Sequence, residues 1–193
     1  MTRQAMALLC CIALGACGTT SVGLKYAPPA AVSKAASSNP VQVGTFTDSR
    51  GEPANWLGVI RGGFGNPLKT LESDKPVSEI VSAAFADALR ARGVAVDQGA
   101  SAARVTGTIK RLDCIQIARR EGNVELEVRV LAAGGVVRFT KTYSATRVDG
   151  SILTMSAGIF GSVEDLRVTL EATLREVVDK ALDDTELRAA LQI

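Results

Sequence analysis

The chain of 193 residues contains no histidine. That removes the commonest general acid/base and the commonest metal ligand, so Ser-His-Asp and Cys-His constellations and histidine-bearing zinc sites are excluded. Aromatic residues make up only 4%. Charge of neither sign dominates, since 22 Lys and Arg against 20 Asp and Glu leave a formal net charge of +2. A nucleic-acid-binding domain would be strongly basic, and nucleic acid is not expected as a partner. Long hydrophobic runs are also scarce. The apolar run at residues 5–14, about ten residues, rises only about 15 Å as a helix, roughly half a bilayer core.

What is present begins with that run. Arg3 followed by residues 5–14 has the layout of an export signal, and residues 1–16 are expected to be removed. The segment ends in Leu14-Gly15-Ala16-Cys17, which resembles a bacterial lipobox, the cleavage and acylation signal of lipoprotein precursors. The resemblance implies that Cys17 becomes the first mature residue and carries a diacylglyceryl thioether plus, in many bacteria, a third acyl chain. Each buried methylene contributes about 0.8 kcal/mol, so two or more chains anchor stably. Gly18 stands where an aspartate tends to hold enteric lipoproteins in the inner membrane, which implies an outer-membrane address with the domain facing the periplasm. The covalent lipid on Cys17 is the only attached group expected. Cys10 and Cys11 leave with the signal, so Cys114 has no intrachain partner and reads as a small buried hydrophobe.

Residues 18–39 are rich in Ala, Ser, Thr, Pro and Gly, without apolar periodicity. With Cys17 they read as a lipidated, flexible tether over residues 17–39. Such a tether has an r.m.s. span of roughly 25 Å. Residues 40–193 then form a single domain. Val41, Val43, Thr45 and Thr47 alternate with polar positions as a first strand that ends at Asp48-Ser49-Arg50-Gly51. Residues 55–70 carry many glycines together with Trp56, Leu57, Ile60 and Phe64, as in a short hairpin or ordered loop. No Walker or Gly-x-Gly-x-x-Gly pattern fits there. The spacing of Val77, Ile80, Val81, Ala84, Phe85, Ala88 and Leu89 predicts a helix opened by Pro76 and closed by Gly93.

Val105 to Ile109 alternates cleanly, whereas Leu112 and Cys114 continue in the opposite phase, which predicts a bulge near Lys110-Arg111. Val124, Leu126, Val128 and Val130 form the next apolar face. Val137, Phe139, Tyr143 and Ala145 form the one after it, completing an antiparallel meander. Ser162 with Asp165 opens a second amphipathic helix, and residues 184–191 extend it or form a separate short helix. The expected fold is α+β, a two-layer sandwich of a mainly antiparallel sheet of four to five strands with two amphipathic helices on one face.

No catalytic constellation or metal site is expected. Glu125 and Glu127 share a strand face with Arg129 and read as a solvated outer face. Lys110, Arg111, Arg119 and Arg120 read as a basic hairpin, either solvated or facing lipid phosphates. The candidate partner surface is Trp56, Arg61, Gly62, Gly63, Phe64 and Gly65, because glycine-rich loops with exposed aromatics suit recognition; the sheet face carrying Glu125, Glu127 and Arg129 is the second possibility.

The lipobox, tether, Asp48-Ser49-Arg50, the Gly62-Gly63-Phe64-Gly65-Asn66-Pro67-Leu68 loop and Ala84-Phe85-x-x-Ala88-Leu89-x-x-x-Gly93 together resemble the YajG-like small proteobacterial lipoproteins. The element order also resembles, more weakly, the lipopolysaccharide-assembly lipoprotein that plugs an outer-membrane barrel and auxiliary lipoproteins of envelope ABC transporters. These resemblances imply a non-enzymatic binding or accessory module, membrane-bound through its lipid and meeting an envelope protein partner. The alternative they leave open is a carrier of lipid or another small amphiphile within an envelope transport system.

Overall fold

The structure, a computed structural model, describes residues 18–36, 39–97, 99, 102–150 and 161–193; Leu14, Gly15, Ala16 and Cys17 lie outside the described residues. The strands are β1 (Gly18–Val22), β2 (Val41–Asp48), β3 (Trp56–Arg61), β4 (Pro67–Ser73), β5 (Ala103–Gln116), β6 (Arg120–Leu131) and β7 (Val137–Asp149). The helices are α1 (Val77–Ala91), α2 (Val163–Asp183) and α3 (Thr185–Leu191). All seven strands share one sheet, ordered β1-β4-β3-β5-β6-β7, with β2 also on β5. β2 lies along the first half of β5, Val41 opposite Ala103 and Asp48 opposite Ile109. β3 lies along the second half, Gly58 opposite Cys114 and Ile60 opposite Gln116.

The α+β class is observed, but the sheet is mixed, with more strands than the four to five expected. β1·β4, β2·β5 and β3·β5 are parallel, while β3·β4, β5·β6 and β6·β7 are antiparallel. The difference has identifiable causes. β2 and β5 are separated by a helix, and a strand returning after a crossover comes back parallel. The glycine-rich region is a hairpin of two full strands, β3 and β4. The meander expected from the alternating runs is present as β5, β6 and β7.

Residues 18–36, whose composition reads as a tether, lie against the body. β1 pairs with β4 from Gly18–Lys69 to Val22–Ser73. Beyond it, Leu24 and Tyr26 are buried, and the Lys25 amide donates to Glu171 on α2 at 3.0 Å. Further along, the Ala35 amide donates to the Arg92 carbonyl at 3.0 Å. Alternate apolar residues at 22, 24 and 26 are too few to register as a periodic pattern, yet each of the last two finds a hydrophobic seat worth about 1.5–3 kcal/mol on burial.

Every apolar position that predicts α1 is buried. Gly93 at φ +84° continues past its end, the conformation in which a helix commonly terminates. Ser162 caps α2 by accepting from the Glu164 amide at 3.1 Å, and the helix breaks at Asp184, where α3 begins. The bulge in β5 is present between Ile109 and Arg111; it puts Val105, Ile109, Leu112 and Cys114 together in the core. A second irregularity, between Val43 and Phe46 of β2, overturns the simple alternation there. It turns Phe46 inward to stack on Phe85 of α1 with ring centroids 4.9 Å apart. On β7, Tyr143 and Ala145 are buried as expected and Phe139 packs against the core, but Val137 is 53% exposed. It sits beyond a register shift at the Val130–Leu131 end of β6, past the reach of the helix layer.

Candidate functional site

The residues that predict a partner surface do not stay together. Trp56 opens β3 and Arg61 closes it, about 17 Å apart at the usual strand rise. Leu57 and Ile60 between them are core residues. Trp56 is half-buried, and its carbonyl accepts from Arg50 Nη1 at 2.8 Å. Arg61, Gly62, Gly63, Phe64 and Gly65 remain as one unit, the tip of the β3–β4 hairpin. The Gly62 amide donates to the Asn66 carbonyl at 2.8 Å, and the Gly65 amide donates to the Gly62 carbonyl at 2.8 Å. Gly65 has φ +83°, a left-handed conformation that glycine adopts without steric cost. Arg61 Nη1 donates to the Gly65 carbonyl at 3.0 Å, so the guanidinium braces the turn. Phe64 projects from it fully exposed.

The tip stands at the same end of the sheet as Gly18, the first of the described residues. Gly18, which follows Cys17, is the register partner of Lys69 on β4, and Arg61 is the register partner of Pro67 on the same strand. The β5–β6 turn reaches the same end of the sheet, because Ile60 faces Gln116 and Gln116 faces Arg120. Ile117 in that turn is 51% exposed. The basic hairpin anticipated there is largely neutralised: Lys110 pairs with Glu127 at 3.3 Å, Arg111 with Asp113 at 2.7 Å and Arg120 with Asp165 at 2.9 Å. Arg119 makes no ion pair with the described residues.

Asp48 and Arg50 form a clasp. Arg50 Nε and Nη2 donate to the two Asp48 carboxylate oxygens, each at 2.9 Å, and Nη1 reaches the carbonyls of Trp56 and Leu112 at 2.8 and 2.9 Å. Burial alone would raise the Asp48 carboxyl, but these bonds outweigh it and hold it below the usual range. The guanidinium thus closes the gap where β2 ends and β3 begins along β5. The Asp-Ser-Arg motif is architectural.

Glu125, Glu127 and Arg129 lie on the face of β6 opposite the helix-facing Val124, Leu126, Val128 and Val130. Glu127 accepts from Arg129 Nε at 3.0 Å, and Arg129 Nη2 donates to Thr108 at 2.9 Å. The Lys110 hydrogen bond is the chief influence holding the Glu127 carboxyl down. Both carboxylates are thus in the charged outer face that their spacing predicts. Cys114 is fully buried, and burial pushes its thiol up to about 12, so it packs as a hydrophobe. Among the described residues no group of three or more Cys, Asp and Glu side chains could hold a metal.

One polar cluster has no counterpart in the sequence reading. Arg92, just past α1, is 2% exposed. Its Nη2 donates to Asp179 at 3.1 Å and Asp183 at 2.9 Å on α2, and Tyr26 donates to Asp179 at 2.6 Å. Burial alone would lower the guanidinium, but the Asp183, Tyr26 and Asp179 contacts outweigh it and raise it. Burial, aided by Asp179, lifts the Tyr26 phenol to about 12. The i, i+4 spacing of Asp179 and Asp183 places two acids on one helix face, which is the available signal, but nothing in sequence couples them to residues 26 and 92. The cluster pins α1, α2 and the N-terminal segment together. Between the helices and the sheet, where a carried amphiphile would have to sit, Phe46, Phe85, Leu57, Leu126 and Leu174 belong to one buried cluster.

No helix among the described residues is long and apolar enough to cross a membrane. No curated protein matches the chain significantly. Among solved structures, protein XCC0632 from Xanthomonas campestris aligns over 89% of this chain and 96% of its own, at 14% identity and a TM-score of 0.63, and so has the same fold. More distant are a PelC dodecamer variant from Paraburkholderia phytofirmans (13% identity, 81% and 92% covered, TM-score 0.44) and hypothetical protein CT253 from Chlamydia trachomatis (12% identity, 75% and 95% covered, TM-score 0.46). The family model of the uncharacterized lipoproteins, Lipoprotein_16, matches residues 27–192. That span holds the Asp48–Arg50 clasp, the β3–β4 hairpin and all three helices, and the chain belongs to this lipoprotein family.

Proposed function

We propose that the protein is an outer-membrane lipoprotein, held by lipid on Cys17, whose domain faces the periplasm and serves as a non-enzymatic binding module for an envelope protein. The observation that carries this reading is the junction between anchor signal and body. The lipobox residues Leu14-Gly15-Ala16-Cys17 run directly into Gly18, which is already paired with Lys69 in a domain of a lipoprotein family. An acylated Cys17 therefore joins the edge of a folded sheet. The binding role is supported by the outer sheet face. Arg104, Thr106, Thr108, Glu125, Glu127 and Arg129 lie there, and the helices pack on the other side among the described residues.

Replacing Cys17 with Ser removes the thiol that would be acylated and leaves the core untouched. The variant is expected to keep the wild-type melting transition and to move from the outer-membrane fraction to the soluble periplasmic fraction. A Cys17→Ser protein that still sediments with outer membranes would rule out the lipid as anchor. For the module role, photo-reactive residues at positions 125 and 127 are expected to cross-link one envelope protein in cells; labelling only by solvent would count against it.

A further inference from the structure

We propose that the end of the sheet where β1 begins is a membrane-seating rim, which sets Phe64 into the headgroup and acyl boundary of a phospholipid surface while Arg61 and Arg119 meet lipid phosphates. The proposal rests on the anchor reading at Cys17 and adds how the domain stands on the bilayer.

Strand registers put the relevant groups at one end. Gly18 opens β1 opposite Lys69, Arg61 closes β3 opposite Pro67, and Gln116 closes β5 opposite Arg120. The hairpin tip with Phe64 lies one to two strand spacings from Gly18, about 5–10 Å across the sheet. The turn with Ile117 is one strand further. Residue 17 is bonded directly to Gly18, so a lipid on it would be carried at this rim. The rim is then obliged to lie at the surface into which the acyl chains insert.

The exposed chemistry suits that position. Phe64 is 103% exposed and Ile117 51%, both at turn tips that no described residue covers. An aromatic ring of this kind settles in the boundary layer of a bilayer, and basic groups beside it are drawn to anionic headgroups. The acids at this end are engaged: Asp165 with Arg120, Glu164 with Arg167, Asp149 with Thr169 and Glu121 with Asn123. Arg61 and Arg119 have no acidic partner among the described residues. The opposite end also exposes apolar side chains, Val136 and Val137, but β6 holds it about 37 Å away from the anchor. It serves as the internal control.

The test uses the mature lipidated protein in phosphatidylethanolamine and phosphatidylglycerol vesicles containing brominated lipid, with Trp56→Phe as background. Phe64→Trp is expected to show a blue shift on reconstitution and to lose most of its emission to bromine, whereas Val136→Trp keeps its emission. Phe64 touches nothing, so the substitution leaves the fold intact, which the melting transition checks. Vesicle flotation separates the two levels of the argument. Protein that fails to float overturns the anchor at Cys17. Protein that floats with the position-64 indole unquenched overturns the rim and leaves the hairpin tip to a protein partner, and quenching at position 136 instead would place the other end on the membrane.

Discussion

Asp184 carries several interactions at once at the junction of α2 and α3. Its side chain accepts from the Glu186 amide at 2.8 Å, from Lys141 Nζ at 2.7 Å and from Tyr143 at 2.9 Å. The Lys141 bond, with help from Tyr143 and the cap amides, overcomes the opposing effect of burial and holds the carboxyl at about 2. Since the unfolded value is about 3.9, the group binds fewer protons when folded. Its contribution is therefore complete above about pH 4 and lost as pH falls toward about 2. Asn retains good capping ability, so Asp184→Asn isolates the charge. The melting temperature of the variant is expected to lie below wild type at neutral pH, with the gap closing as pH falls from about 4 to about 2; a gap independent of pH would refute it. Some residue-scale readings were legible from sequence. Cys114 as a hydrophobe and Glu125, Glu127 and Arg129 as an outer face follow from strand parity alone. Arg92 was not legible, because an arginine just past a helix end normally faces water, and only Asp179, Asp183 and Tyr26 converging from other elements make its burial tolerable.

At the scale of elements, the close approach of β5 to its neighbours sets the tolerance for side-chain volume. A Cβ on Gly107 would fall 2.0 Å from the Glu127 carbonyl oxygen and 2.9 Å from the Phe46 ring. Gly107→Ala therefore forces β5 away from β6 or disturbs the Phe46–Phe85 stack. A loss of about 1–3 kcal/mol, the usual range for overpacking, is expected from denaturant unfolding, and an unchanged midpoint would refute the close contact. Both long helices and the β5 bulge were readable, because an amphipathic period and a phase change are local signals. The parallel pairing of β2 with β5 was not, since strand partners separated by a helix are chosen by the sheet. The inward turn of Phe46 was hidden for a related reason. Its amide finds Ser82 of α1 at 3.3 Å, a partner supplied by tertiary packing.

At the scale of the whole molecule, the N-terminal segment belongs to the body. β1 extends the sheet, Leu24 and Tyr26 are buried, and Tyr26 joins α1 and α2 through Arg92 and Asp179. The Lys25–Tyr26 bond, although its lysine is exposed, is thus expected to resist trypsin in the native protein. Tyr26→Ala removes an aromatic seat and the phenol bond, at a cost of about 3–5 kcal/mol if the site does not collapse, and should open that bond to cleavage. Rapid cutting at Lys25 in the wild type would mean that the segment is free. If Cys17 carries the proposed lipid, this attachment gives a short reach from the membrane in place of a long one, and makes the rim containing Phe64 part of that anchor's geometry.

The linear chain alone determined the exclusion of histidine chemistry, the two amphipathic helices, the three-strand meander and the α+β class, because each is written in local composition or period, and it alone carries the resemblance to a lipobox at Leu14 to Cys17. Tertiary structure alone decided the mixed seven-strand sheet, the burial of Arg92 and the docking of residues 18–26. It also separated Trp56 from Arg61–Phe64 and brought Phe64 beside Gly18. These depend on which distant segments meet, and a pairing across tens of residues is selected by the burial and hydrogen bonds of both partners together, which neither segment encodes by itself.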